Sequence, residues 1–397
     1  MREVASEIKS VSDARYFAER RVPKLVRDYM RAGSGTKVTL SRNTSAFDEV
    51  SLRPRAAVSP PERELGTTVL GHDVSMPVMI APTGGGRLVH PDGELGGVRA
   101  AGSAGTIQWV TTFAGIPIED ITAAAPGPVF FQLYYPGSRE AAEELIDRVK
   151  AAGCTALALT IDTIVGPRPE VPARGRITVY RAGATGRRPI MEYLRIATQL
   201  GIKPRWTARF LLDRGRGLRA AMVTEGGKPA LLFRASEILM QRPPVWEDLD
   251  WIRERWGGPF VVKGIMTPED ARKAVELGAD AIVVSNHGGN VLDGNASTIS
   301  VLPSIVKAVD GRAEVLLDSG IRRGSDVVKA MAMGAKAVLV GRSWLWGVAA
   351  AGEAGVSAVL EVYRRQIMDT MASLGVSSVD ELNESHVTYP EAWKPAP

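Results

Sequence analysis

Thr267-Pro-Glu-Asp-Ala-Arg-Lys-Ala-Val-Glu-Leu-Gly278-Ala-Asp-Ala281-Ile-Val-Val-Ser285 holds a helix and a strand in immediate succession. Thr267 can accept from the first unpaired helical N–H groups, and Pro268 suits the first turn. Glu269 and Asp270 lie at the positive end of the helix dipole, and Gly278 supplies a stop. The apolar residues Ala281 to Val284 do not alternate with polar ones. They therefore predict a strand buried on both faces, as in a parallel sheet covered by helices.

The same design recurs in Ser325 to Gly334 followed by Ala337-Val-Leu-Val340. Working outward, further β-rich apolar runs are Pro77–Ala81, Ile107–Thr111, Val129–Leu133, Ala156–Thr160, Phe260–Lys263 and Val315–Asp318, which brings the strands to eight. Eight strand–helix units predict an α/β fold of the (β/α)8 TIM barrel type. Two stretches fall outside the alternation. Residues 1–76 read as an N-terminal helical extension ending in Pro-rich segments, and residues 166–259 form a long insertion after strand 4. Within it, Ile190 to Leu212 has helical apolar spacing broken by Gly201 and Pro204, which predicts two short amphipathic helices. Helix and strand otherwise alternate without room for a second unit, so residues 1–397 read as one domain.

Composition narrows the classes of function. The lone cysteine, Cys154, opens an apolar run, which excludes an internal disulfide framework and suggests a strand thiol in a reducing cytoplasm. Met-Arg-Glu-Val-Ala-Ser-Glu-Ile-Lys9 has no apolar signal region, and no run is long and apolar enough for a transmembrane segment. Arg168 to Lys228 holds fourteen Lys and Arg against four Asp and Glu, so the remainder of the +5 chain is net acidic. No aromatic interleaving accompanies the charge. A solvated basic insertion is expected, with no nucleic-acid partner.

Catalytic groups of such barrels gather at the C-terminal strand ends. The polar residues there are Thr83, Thr111, Gln132, Thr160 with Asp162, Lys263, Ser285 with His287, and Asp318. A lone polar strand end is usually a structural cap; this many together suggest a site. Asp318-Ser-Gly320-Ile-Arg322-Arg323-Gly324 and Gly341-Arg342 follow strands 7 and 8. Glycine-freed N–H groups, a helix N-terminus and guanidinium groups there predict a phosphate site.

These residues resemble the FMN-dependent α-hydroxy-acid oxidase and dehydrogenase family. The likeness rests on Val262-Lys263-Gly264, Ser285-Asn286-His287-Gly288-Gly289, Leu317 to Asp326, and Gly341-Arg342. Pro82-Thr83-Gly84, Phe131-Gln132-Leu133-Tyr134 and Pro23 to Tyr29 add to it. The resemblance implies FMN as cofactor and His287 as the base for the substrate's hydroxyl or amine proton. It implies Asp162 as partner of the imidazolium, and Lys263 beside the flavin edge that becomes negative on reduction. Thr111, Gln132, Thr160 and Ser285 would bond the flavin, with Pro82, Thr83, Gly84, Gly288 and Asp318 beside it. Gly320, Arg322, Gly341 and Arg342 would hold its phosphate. Tyr29 and Tyr134 match substrate-facing tyrosines, and Phe113 stands where glycolate oxidase-like members often have tryptophan. By the same resemblance a homotetramer or larger homo-oligomer is expected, with oxygen or a redox carrier as electron acceptor.

One position departs from the pattern. The family usually places a carboxylate-clamping arginine where this chain has Asn290. A second such arginine is matched by Arg168 only across a one-residue gap. His-Gly-Gly-Asn290, with Trp246 to Pro259 and Trp344-Leu-Trp346, is similar to the mycofactocin-system branch, which acts on a peptide-derived aminolactam. A neutral lactam needs no clamp, and an asparagine both donates and accepts. The alternatives are oxidation of a small L-2-hydroxy acid, such as lactate, glycolate or mandelate, and an FMN-dependent isomerase on the same barrel. A non-catalytic flavin-binding protein is disfavoured by the full set of strand-end groups.

Overall fold

The computed structural model describes residues 2–58, 62–164, 190–225, 228–239 and 241–395. Eight parallel strands close into a barrel: β1 Val78–Ile80, β2 Gln108–Thr111, β3 Val129–Leu133, β4 Ala156–Thr160, β5 Phe260–Ile265, β6 Ala281–Val284, β7 Glu314–Leu317 and β8 Ala337–Val340. Neighbours follow chain order, and β8 returns to pair with β1 through Val338, Leu339 and Val340. The expected strands are all present, with ends shifted by a residue or two.

Continuous apolar runs suit these strands because each has two dry faces. Met79, Trp109, Phe130, Val261, Val283, Leu316 and Leu339 fill the barrel interior as one buried cluster. Val110, Phe131, Leu159, Val262, Val284, Leu317 and Val340 belong to the larger cluster shared with the surrounding helices. Successive side chains therefore face opposite sides, yet both sides demand carbon.

Helix ends follow the chemistry read from the sequence. Thr267 Oγ1 accepts from Asp270 N at 3.2 Å at the head of Pro268–Glu276, and Gly278 leaves the helix at φ +84°. The lead-in forms the helices Val11–Arg21, Lys24–Met30 and Val38–Ser45. It also contains a feature the sequence did not announce, a hairpin of Thr67–Val69 and His72–Val74. Val69 and Val74 join the inner cluster, and Leu70 N donates to the Glu314 carboxylate at 3.1 Å at the start of β7. One mouth of the barrel is thereby plugged, leaving the strand C-termini at the other.

The insertion contains the two expected helices, Ile190–Gly201 and Pro204–Leu212. It also contains a hairpin of Arg219–Glu225 with Lys228–Leu231, and a helix Leu232–Leu239, neither of which was expected. Cys154 is buried, but it lies in the turn before β4, and burial pushes its thiol up to about 12. Among the described residues no helix is long and apolar enough to cross a membrane.

Candidate active site

Four strands align a polar row at the open mouth. Thr111 pairs in register with Gln132, and Thr160 with Lys263. The Gln132 amide is fixed at both ends: Thr111 Oγ1 donates to its Oε1 at 2.7 Å, and its Nε2 donates to Thr160 Oγ1 at 2.8 Å. All three are buried, so these bonds also satisfy polar groups that water cannot reach. Lys263 Nζ donates to Ser285 Oγ at 2.8 Å and pairs with Asp318 Oδ2 at 3.0 Å. Burial alone would lower its ammonium; the carboxylates of Asp318 and Asp162 outweigh that and hold it above its ordinary value.

His287 lies just beyond β6 at φ +58°, a conformation uncommon for a residue with a side chain. Three contacts hold the loop there. Its N–H donates to Ser285 Oγ at 3.1 Å, Gly288 N donates to Ser319 Oγ at 2.9 Å, and Asn286 accepts from Gly289 N at 3.2 Å. The imidazole is thereby placed with Nδ1 3.1 Å from Asp162 Oδ1 and Nε2 2.9 Å from the Tyr134 hydroxyl. With its proton on Nδ1, facing the carboxylate, the ring leaves Nε2 as an acceptor at the cavity. Burial would raise Asp162, but the facing His287 and nearby Lys263 bring its carboxyl below the ordinary range.

Asp162 itself depends on a neighbour. β5 is bulged between Lys263 and Ile265, with Gly264 at φ +112°, and a Cβ there would lie 2.6 Å from Asp162 Cβ. Only glycine accommodates both the backbone conformation and the close approach.

At the ends of β7 and β8 the expected glycines and arginines come together. A Cβ on Gly320 would stand 1.9 Å from Asn43 O, so the chain passes directly against the lead-in. Arg342 donates to Gly288 O at 3.0 Å and to Ala32 O at 2.7 Å, and Arg322 to Ile321 O at 2.7 Å. Burial lowers both guanidinium groups, and Arg322 lowers Arg342 further. Neither has a carboxylate ion pair among the described residues. Two close cations lined up on one cavity are a fitting place for a phosphate dianion.

Tyr29, Pro82, Thr83, Gly84, Thr111, Phe113, Tyr134, Lys263, His287, Gly288, Asn290, Asp318, Gly320, Arg322, Gly341 and Arg342 line one cavity. Gln132, Thr160, Ser285 and Asp162 stand behind this wall and fix its members. Tyr29 donates to Gly84 O at 2.7 Å, and the Phe113 and Tyr134 rings meet edge to face at 5.1 Å. Arg168 lies outside the described residues. Sequence reasoning missed Ser319, which sits at φ +73°, donates to Asp318 Oδ1 at 2.6 Å and accepts from Gly288. It also missed Leu232 and Ser236, which the insertion helix brings to the cavity. Ser319 stood visible between Asp318 and Gly320; the insertion residues carried no local signal.

Asn290 is the wall's unusual member. Its Nδ2 donates to His287 O at 2.8 Å, while its Oδ1 is buried and has no hydrogen-bond partner among the described residues.

A buried strand-end lysine, a carboxylate–imidazole pair and a guanidinium-lined pocket share the C-terminal mouth of the (β/α)8 barrel, where they suit acid–base chemistry beside a bound phosphate. The residues fit FMN: the cations at the ends of β7 and β8 suit its phosphate, and Lys263 suits negative charge at its ring edge. The chain belongs to the FMN-dependent dehydrogenase family, which matches residues 18–389. It is 41% identical over 393 residues to the pre-mycofactocin synthase of Mycobacterium tuberculosis, covering 97% of this chain and 96% of that one. It is 38% identical over 381 residues to the glycolate oxidase of Spinacia oleracea, covering 96% of each. The structure of the monotopic membrane protein (S)-mandelate dehydrogenase superposes with a TM-score of 0.87 at 32% identity, covering 96% of this chain and 100% of that one.

Proposed function

We propose that this FMN-dependent oxidoreductase oxidises a C–NH2 carbon beside a carbonyl, in a peptide-derived aminolactam or related amide. The observation that carries the reading is the unpartnered Asn290 Oδ1 beside His287. An unpaired buried acceptor costs about 1–3 kcal/mol, which a substrate N–H relieves and a carboxylate oxygen does not. The cations on the described wall have other tasks in this reading: Lys263 pairs with Asp318, and Arg322 and Arg342 face the flavin phosphate, which leaves none of them for a substrate carboxylate. The likeness to pre-mycofactocin synthase supports the same direction.

In this reading the substrate amine gives its proton to His287 Nε2, the nitrogen left as acceptor by the Asp162 pairing. The carbon gives up a hydride with its electron pair, so a C=N bond forms where C–N stood. When bound, FMN supplies the two-electron acceptor. Asp162 stabilises the imidazolium that results, and Lys263 maintains a fixed cation at the end of β5. Tyr134, on the Nε2 side, orients the reacting group and yields its contact with the ring as substrate enters. Phe113, packed edge to face on Tyr134, and Tyr29 line the same cavity and narrow the water's access.

A second reading, oxidation of a small 2-hydroxy acid, is favoured by Tyr29, which follows the hydroxy-acid pattern more than that of the mycofactocin branch, and by the likeness to glycolate oxidase. An anaerobic screen of flavin absorbance separates the two. Bleaching by a synthetic α-aminolactam, with little by glycolate, L-lactate or (S)-mandelate, supports the first. Rapid bleaching by the simple hydroxy acids alone defeats it.

A further inference from the structure

The ring of Trp346 meets two guanidinium groups. Arg322 lies over it with Cζ 5.2 Å from the ring centroid, and Arg15 with Cζ at 5.4 Å. Both distances fall within the range in which an indole face attracts a cation. The three residues come from separate elements: Arg322 follows β7, Trp346 belongs to the helix Arg342–Ala351 after β8, and Arg15 to the lead-in helix Val11–Arg21. Trp346 is one helical turn beyond Arg342, so a single helix carries one cation of the phosphate end and the ring that contacts the other.

Packing alone does not account for an indole here. Trp346 is 4% exposed, yet its Nε1 is buried and has no hydrogen-bond partner among the described residues. Trp344, two positions earlier, shows the ordinary solution, with Nε1 donating to Ala81 O at 3.2 Å. A phenylalanine or leucine at 346 would fill apolar space without burying an unpaired N–H. What tryptophan offers over both is the strongest attraction for a cation on its face. Arg322 needs such support. Burial lowers its guanidinium, Tyr363 and Asp326 act against that, and Arg15 lowers it further. Its Nη1 donates to Ile321 O at 2.7 Å, but that bond restrains one nitrogen and leaves the rest of the group to be held by its surroundings.

We propose that Trp346 is a positioning residue for the flavin phosphate: its face holds the Arg322 guanidinium beyond β7, beside the cavity that Arg322 and Arg342 line. An unbraced arginine gives up side-chain freedom when a phosphate arrives, whereas a braced one is already in place. The inference rests on the reading that FMN binds with its phosphate at Arg322 and Arg342. It is independent of which substrate is oxidised, because Trp346 acts through Arg322.

The test is titration of the full-length apoprotein with FMN and with riboflavin, which lacks the phosphate, followed by flavin fluorescence. In Trp346→Leu, FMN affinity is expected to fall about five- to thirtyfold, the worth of a desolvated cation–π contact, while riboflavin affinity changes less than about twofold. Trp346→Phe, with a weaker aromatic face, should fall between the two, and it carries the test if the leucine variant does not fold. Equal losses for both flavins would mark Trp346 as packing alone and overturn the inference. So would a ratio of FMN to riboflavin affinity left at the wild-type value in both variants. Wild-type protein that binds riboflavin as tightly as FMN would overturn it by a different route, because the phosphate would then have no place at the ends of β7 and β8.

Discussion

The side-chain amides of Asn43 and Asn286 bond each other reciprocally, Asn43 Nδ2 to Asn286 Oδ1 at 2.8 Å and Asn286 Nδ2 to Asn43 Oδ1 at 2.7 Å. Both are buried, and Asn286 immediately precedes His287. The lead-in is thus part of the scaffold that holds His287. Asn43→Ala leaves Asn286 partly unsatisfied and should cost about 1–3 kcal/mol in urea unfolding. It should also slow flavin reduction more than it weakens FMN binding. Normal reduction in a destabilised variant would detach the lead-in from the chemistry.

Lys263 and Asp318 form a buried ion pair, and removing one partner leaves the other charge uncompensated. Lys263→Met should cost about 3–5 kcal/mol of stability. Flavin reduction should also be lost in whatever folded protein remains. Near wild-type reduction by substrate would show that the cation is structural only.

The two shifted groups set opposite pH limits. Lys263 is raised above its unfolded value, so its contribution is fully present below about pH 10.4 and is lost as pH rises through the folded value. Asp162 is depressed, so its contribution is present above about pH 3.9 and lost as pH falls through its folded value. Stability measured by denaturant between about pH 5 and 9 should therefore show no step that Lys263→Met abolishes. Such a step would contradict the pairing.

Gly264→Ala tests the support of Asp162. The added Cβ meets Asp162 Cβ at 2.6 Å, and φ +112° strains any other residue. Misplacing a positioning carboxylate by about 1 Å is expected to lower the reduction rate by about 10²-fold. FMN affinity, read by fluorescence titration, should change far less. A large loss of FMN with intact single-turnover reduction would reverse the assignment.

Arg342→Gln removes one of the paired cations and should weaken FMN at least about tenfold, with a shallower dependence on salt. Equal affinity in equilibrium dialysis would remove the phosphate from that end of the barrel.

Much of this was legible in the sequence because the barrel imposes local patterns. Both faces of each strand are dry, so runs such as Val129–Leu133 and Ala337–Val340 announced themselves, and Thr267 with Gly278 framed a helix. Strand-end polarity gave His287, Asp162 and Lys263. The rest depends on contacts distant in sequence. Asn43 has no local mark of its partner 243 positions away, and the glycine at 264 makes room for Asp162, which lies just beyond another strand. Leu70 and Gly71 sit in a turn within the lead-in whose purpose, plugging the barrel, appears only when Glu314 is beside it. Ser236 reaches the cavity from an insertion helix that follows a hairpin the sequence left unread.

The most direct test is anaerobic stopped-flow reduction of His287→Gln with whichever substrate bleaches the wild-type flavin. The account predicts FMN bound as before and a reduction rate lower by about 10²- to 10⁴-fold, the contribution of a positioned base. A variant that binds FMN and is reduced at the wild-type rate would contradict the assignment of His287 as the proton acceptor.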